Sequence, residues 1–126
     1  MNIPADRKYT KDHEWVVVAG DTATMGITEF AQEELGDVVF VDLPTTGKSL
    51  KQKEVACVVE STKAASDVYA PISGAVAETN GALTSAPDLI NKDPYGSGWM
   101  VKFKGVAAEE VKTLLSADEY RALIKA

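Results

Sequence analysis

Few side chains in this chain could take part in chemistry, and their types narrow the choice. There is one histidine, His13, and one cysteine, Cys57. A metal site needs a cluster of ligands at characteristic spacing, and one of each supplies none. Neither a Gly-rich phosphate loop nor a nucleophile elbow occurs. His13 lacks the partners of a Ser/His/Asp set, and within Lys11-Asp12-His13-Glu14-Trp15 it reads as a structural or surface residue. Cys57 falls in an apolar run and reads as a small buried hydrophobe. What remains is an amine. Lys63 stands in Ser61-Thr62-Lys63-Ala64, a polar turn without apolar bulk. An amine held at a tip can be reached and acylated by another enzyme, and Ala64 and Ala65 leave room for that enzyme to close over it. Lysines in exposed turns are common, however, and most do nothing, so spacing alone favours a plain solvated turn.

The neighbouring elements are those a hairpin needs. In Glu54–Glu60, Val55, Cys57 and Val59 alternate with Ala56 and Val58, which suits a strand buried on part of both faces. Ser66–Ala70 is a shorter β-prone run stopped by Pro71. Paired, the two runs would project Lys63 into solvent. Upstream, Arg7–Thr10 and Glu14–Ala19 read as strands, and the Gly20-Asp21 turn leads into a returning strand over Thr22–Ile27. Thr28 is positioned to cap a short helix that Gly36 stops, with Ile27, Phe30, Ala31 and Leu35 on one face. Asp37–Leu43 is a strand too apolar to lie open. Gly74–Thr79 and Trp99–Lys104 are further strands, the latter alternating apolar and charged residues. Asn80–Gly98 reads as loops with at most one helical turn near Pro87–Ile90. Ala107–Leu115 reads as a helix. Ser116 and Glu119 form a capping box opening another, with Tyr120, Leu123 and Ile124 facing inward to cover a sheet edge.

The hairpin segment Glu60–Asp67, followed by Tyr69-Ala70-Pro71 and Ser73-Gly74, closely resembles the lipoyl-lysine hairpin of the glycine cleavage system H-protein family. The resemblance extends, in order, through Tyr9–Trp15, Gly26-Ile27-Thr28, Ala31–Val41 and Asn91–Gly96, and so covers nearly the whole chain from Tyr9. One position departs from the pattern. The family usually carries an apolar residue, often valine, just before the lysine, and here it is Thr62, also β-branched and close in size.

The resemblance implies a mainly β fold: a flattened β-sandwich of the barrel-sandwich hybrid, lipoyl/biotinyl-like kind, with a short internal helix and C-terminal helices. It implies a single lipoyl-carrier domain over residues 1–126, with a core at about 7–104 and a helical segment at about 107–125. It implies lipoate covalently attached to Lys63. The arm would take the aminomethyl group from glycine decarboxylase, a pyridoxal-phosphate enzyme, and deliver it to aminomethyltransferase. Electrons would pass to dihydrolipoyl dehydrogenase by thiol–disulfide exchange. A lipoate-attaching enzyme is a further implied partner. The protein would be the substrate of these enzymes and not itself an enzyme, with the chemistry belonging to its prosthetic group. The family's contacts to the loaded arm map onto Glu14 and Asp67, where a carboxylate facing an ammonium supplies a charge-assisted hydrogen bond. Ordinary solvated acids are the other reading of these two residues.

Charge and composition fit this. The chain has 126 residues, 45% hydrophobic and 25% charged, the length of one domain with a real core. A net charge of −6 argues against a nucleic-acid binder. No run is long enough for a membrane span, and the first residues resemble neither a signal nor a transit peptide, so a cytoplasmic monomer is expected. A biotin carrier usually has methionine on both sides of its lysine, where this chain has Thr62 and Ala64. A lipoate relay serving acceptors outside glycine cleavage and an unmodified binding module stay open. An enzyme built on His13 and Ser61 is the weakest alternative.

Overall fold

The computed structural model describes residues Met1–Ala126. Gly20, at φ 63, makes the turn that folds β2 (Glu14–Ala19) against β3 (Thr22–Ile27). Their register sets Trp15 opposite Gly26 and Val16 opposite Met25. Glycine is required there, because a Cβ on Gly26 would meet the Trp15 indole at 2.8 Å. β1 (Lys8–Tyr9) pairs outside β2. On the other side follow β9 (Val101–Lys104), β8 (Gly74–Thr79) and β5 (Ser49–Leu50), giving an antiparallel sheet of order β1-β2-β3-β9-β8-β5. A smaller antiparallel sheet, of order β4-β6-β7, is formed by β4 (Val38–Asp42), β6 (Val55–Ser61) and β7 (Ala65–Tyr69). The two sheets share a core of 21 buried residues, among them Met25, Val59, Val68 and Phe103, without closing into a barrel. This is the expected flattened sandwich.

The N-terminal and C-terminal segments meet over one end. Ile3, Tyr9, Trp15, Ala117 and Tyr120 form a second buried cluster, with Tyr9 and Tyr120 stacked at 4.8 Å between centroids. α4 (Ala117–Ile124) opens on the expected capping box, in which Ser116 and Glu119 exchange bonds of 3.1 and 2.9 Å. α1 (Glu29–Leu35) is capped by Thr28, whose hydroxyl accepts from the Ala31 N–H, and ends at Gly36, at φ 79. No helix is long and apolar enough to cross a membrane.

Several local expectations are corrected. The Val38–Val41 strand does not bury all its apolar residues: Val39 is 55% and Phe40 52% exposed. A bulge between Val38 and Phe40 breaks the alternation and turns two successive side chains outward. A bulge between Val55 and Cys57 likewise leaves Val55 exposed while Ala56 and Cys57 are both buried. The first strand is only Lys8–Tyr9, shorter than Arg7–Thr10. Asn80–Gly98 contains two single-turn helices, α2 (Ala82–Ser85) and α3 (Leu89–Lys92), where one was expected. Ala107–Leu115 is not α-helical. It is a 3-10 turn over Ala108–Thr113, after which Leu115 leaves the turn to exchange backbone bonds of 2.8 and 2.7 Å with Tyr9. In α4, Tyr120 is buried but Leu123 is 46% exposed, because the helix rests on a narrow contact at β1.

Candidate functional site

The β6–β7 hairpin places Lys63 in a short exposed turn, Thr62-Lys63-Ala64. Ser61 holds that turn. Its hydroxyl oxygen accepts from the Lys63 N–H at 3.1 Å and the Ala64 N–H at 3.2 Å, and its own N–H donates to the Ala64 carbonyl at 2.8 Å. Serine favours this local bonding, which is why it suits a turn. The Thr62 N–H donates to the Asp37 carbonyl at 3.0 Å and ties the tip to the start of β4. The Thr62 side chain is exposed and makes no hydrogen bond, so the departure from valine leaves the turn unstrained.

Lys63 is exposed but does not simply point away from the body. Its stem crosses the end of α1: a Cβ on Gly36 would lie 3.3 Å from Lys63 Cε. Gly36 thus serves twice, supplying a positive φ and leaving space beneath the lysine. Asn91, on α3, fixes this corner. Its side-chain amide donates to Gln32 Oε1 and the Gly36 carbonyl, each at 2.9 Å, and its oxygen accepts from the Val38 N–H at 2.9 Å.

Beyond Gly36 a cleft of about 410 Å³ runs between α1 and β7. Phe30, Ala31, Glu34 and Leu35 form one wall, Ser66, Asp67 and Val68 another, and Asp12, His13 and Glu14 a third. Asp67 is the third residue of β7, four residues after Lys63 in the chain. Asp67 and Glu14 line this one cleft.

The two acids differ. Asp67 is exposed. Glu14 is only 1% exposed. Its Oε1 accepts from the Thr10 hydroxyl at 2.5 Å and its Oε2 from the Tyr69 N–H at 3.2 Å. None of the ion pairs in the molecule includes it. Burial pushes its carboxyl from the usual 4.5 up to about 7, against the two hydrogen bonds, while the Asp12 charge adds to the rise. A cation entering the cleft would meet a buried acid that has donors but no counter-ion.

His13 sits in the wall with φ 69, closing the Thr10–His13 turn through a 3.2 Å bond from its N–H to the Thr10 carbonyl. Its Nδ1 is 2.9 Å from the Tyr120 hydroxyl, which also lies 2.7 Å from Thr28 Oγ1, and its ring packs 4.8 Å from Phe30. Burial lowers its basicity, opposed by Asp12 and Glu34. These contacts tie the wall to α4. Cys57 is buried, with its thiol pushed up to about 12 by burial, as an inert core residue requires. No cluster of side chains could hold a metal ion.

Asn91 and Tyr120 are the positioning residues that the sequence left without a role. Asn91 lay in a stretch whose composition signals only loops, and Tyr120 read as one apolar residue of a helix face. Tyr69 acts through its backbone, which no side-chain pattern reports.

The comparisons with known proteins bear on the whole chain. The family described as "Glycine cleavage H-protein" matches residues 7–126. The "Glycine cleavage system H protein" of Methylacidiphilum infernorum is 52% identical over 125 residues, covering 99% of this chain and 98% of that one. The protein of the same name from Symbiobacterium thermophilum is 53% identical over 124 residues, covering 98% and 97%. The crystal structure of a glycine cleavage system H protein from Mycobacterium marinum superposes with a TM-score of 0.90 at 42% identity, covering 98% of this chain and all of that one. Similarity of this extent, in sequence and in fold, makes this chain a member of the glycine cleavage H-protein family.

Proposed function

We propose that this chain is the lipoyl carrier of glycine cleavage, with lipoate joined by an amide to Lys63. The observation that carries the reading is an exposed lysine at a hairpin tip whose stem crosses Gly36, next in sequence to the cleft residue Leu35, with Asp67 and Glu14 in the walls of that cleft. The residues present fit such a group. The tip is open to a lipoate-attaching enzyme, glycine at 36 leaves room under the stem, and the cleft offers an apolar flank at Ala31, Leu35 and Val68. When bound, the lipoyl group supplies a disulfide that takes up and hands on the aminomethyl group and electrons.

The chain's own residues bind, orient and shield. Ser61 and the Thr62 N–H keep the tip rigid while Lys63 keeps its reach. Phe30, Leu35 and Val68 narrow the access of water to the cleft. Asp67 draws a cation toward the cleft mouth, and Glu14 accepts from it inside, where low dielectric makes a charge-assisted bond count for more. The partners are glycine decarboxylase, aminomethyltransferase, dihydrolipoyl dehydrogenase and the lipoate-attaching enzyme. The chain serves them as substrate and performs no catalysis of its own. It acts as a single-domain monomer in the cytoplasm. Intact mass with peptide mapping on protein from its native host tests the reading. A lipoyl increment on the peptide containing Lys63, absent in Lys63→Arg, is expected. A biotin increment, or no modification in cells that lipoylate other proteins, would overturn it.

A further inference from the structure

Glu14 has two donors, and one of them is the side chain of Thr10, to which the resemblance gave no role. Thr10 lies in the turn before β2, half-buried, with its hydroxyl 2.5 Å from Glu14 Oε1. That hydroxyl is not free to rotate to another role. Its oxygen accepts from the Asp12 N–H and the Glu14 N–H, each at 3.2 Å. A hydroxyl has two lone pairs and one hydrogen. With both lone pairs engaged by amides, the hydrogen has the carboxyl as its partner. Thr10 is thus locked as a donor by the same turn that carries Asp12, His13 and Glu14. The other donor, the Tyr69 N–H, comes from the far end of the lysine hairpin and approaches the other oxygen.

We infer that Thr10 is a positioning residue: its hydroxyl holds the Glu14 carboxylate as an oriented hydrogen-bond acceptor between the two clefts that Glu14 lines, so that a cation entering the arm cleft finds a negative partner already in place. The inference rests on the reading that the cleft receives the cationic end of the arm, but its chemistry is testable without the arm. Two donors and no acceptor surround the carboxyl, an arrangement that matches the ionised form. A proton on either oxygen would find no acceptor among the bonds Glu14 makes. Opposing Thr10 are burial and the Asp12 charge.

The other groups around Glu14 do not take over this role. In the arm cleft, Glu34 and Asp67 are carboxylates with no hydrogen to donate, and the His13 ring is engaged with Tyr120. Lys11 and Lys53 line a second cleft on the other side of Glu14, and neither forms an ion pair with it. Inside, Cys57 on β6 and Tyr120 on α4 feel its charge, and burial holds both in their neutral forms. Thr10 is thus the one side chain that donates to the carboxylate.

The experiment follows the Glu14 side-chain carboxyl by carbon NMR in the full-length, unmodified protein, titrated from acid to alkaline pH and assigned with Glu14→Gln. Thr10→Val keeps the shape and removes the hydroxyl. Its Glu14 midpoint is expected to rise by about one to two pH units, the equivalent of one hydrogen bond to a charged group. Thr10→Ser, which keeps the hydroxyl, is expected to titrate close to the wild type. A Thr10→Val midpoint equal to the wild type would overturn the inference. The wild type supplies a check that needs no variant: the Thr10 β-carbon should shift with the Glu14 midpoint, and a β-carbon indifferent to that titration would also overturn it. Methylammonium chloride, compared with sodium chloride at matched ionic strength, separates the two readings. It is expected to lower the Glu14 midpoint in the wild type. No response to methylammonium alongside a normal Thr10→Val shift would count against the cleft as a cation site and leave Thr10's hold on Glu14 standing.

Discussion

Lys63 at the hairpin tip and Glu14 in the cleft wall are treated in opposite ways by the fold. The lysine tip is exposed along Thr62-Lys63-Ala64 and buries no side chain. Short-range bonds to Ser61 and a single backbone tie from Thr62 to Asp37 hold it. Glu14 is 1% exposed and bonded to donors from two separate segments, Thr10 and Tyr69. The proposed function demands different things of the two places. An attachment point must be reached by several enzymes, so rigidity has to come from the backbone while side chains stay clear. A resting place for a cation must exclude water, so its acid is buried and its ionisation moves toward neutral pH.

The largest effect expected from breaking this comparison is at the tip. Lys63→Arg should abolish lipoylation and glycine cleavage altogether, read by mass spectrometry and by glycine-dependent assay with the partner enzymes. Unfolding in denaturant should shift by no more than about 0.5 kcal/mol, because an exposed turn residue is replaced by another cation. A large loss of stability would mean that the tip is packed more like the wall.

Glu14 should show the reverse pattern, a strong link to stability. Its folded carboxyl titrates near 7, above the usual 4.5. The group's favourable contribution is therefore fully present below about 4.5 and lost as pH rises through about 7. In the wild type this removes about 3 kcal/mol between pH 4 and pH 8. Glu14→Gln has no such titration. The stability of the variant relative to the wild type should therefore improve across that interval, measured by urea unfolding at each pH. Taking the difference removes the contribution of His13, whose shift runs the other way. A pH-independent difference would place Glu14 in a solvated setting.

The smallest effect belongs to Thr62. Its side chain makes no hydrogen bond, and its N–H bond to Asp37 survives substitution. Thr62→Val should alter stability by less than about 0.5 kcal/mol and the lipoylation rate by less than about threefold. A larger rate change, measured with a lipoate-attaching enzyme, would make the tip's side chains part of its recognition.

The same contrast explains what was legible beforehand. The hairpin tip that carries Lys63 was legible because it is a local object: Ser61, Ala64 and the flanking strands are contiguous. The Thr28 cap, the Gly36 stop and the Ser116–Glu119 box were legible for the same reason. The wall was not. Asp12 and Glu14 are sequence neighbours of similar composition, yet only Glu14 is buried, since it faces inward on β2 beneath the end of β7. Sequence leaves that choice between solvated and buried acid open, and the resemblance gave a location without an environment. The bulges at Val38/Phe40 and Val55/Cys57 failed to register because alternation assumes an unbroken ladder. The Ala108–Thr113 turn read as a helix because its composition is helical, while the bridge from Leu115 to Tyr9 ends it.

The central claim is that Glu14 keeps the cationic end of the arm. The direct measurement is the rate of ammonia release from isolated protein, lipoylated at Lys63 and loaded with glycine and glycine decarboxylase, at neutral pH. Wild type and Glu14→Gln are compared at equal lipoylation. Loss of a charge-assisted bond should shorten the lifetime of the loaded protein about tenfold or more in Glu14→Gln. An unchanged release rate would contradict the account and leave Glu14 as a buried acid without a ligand.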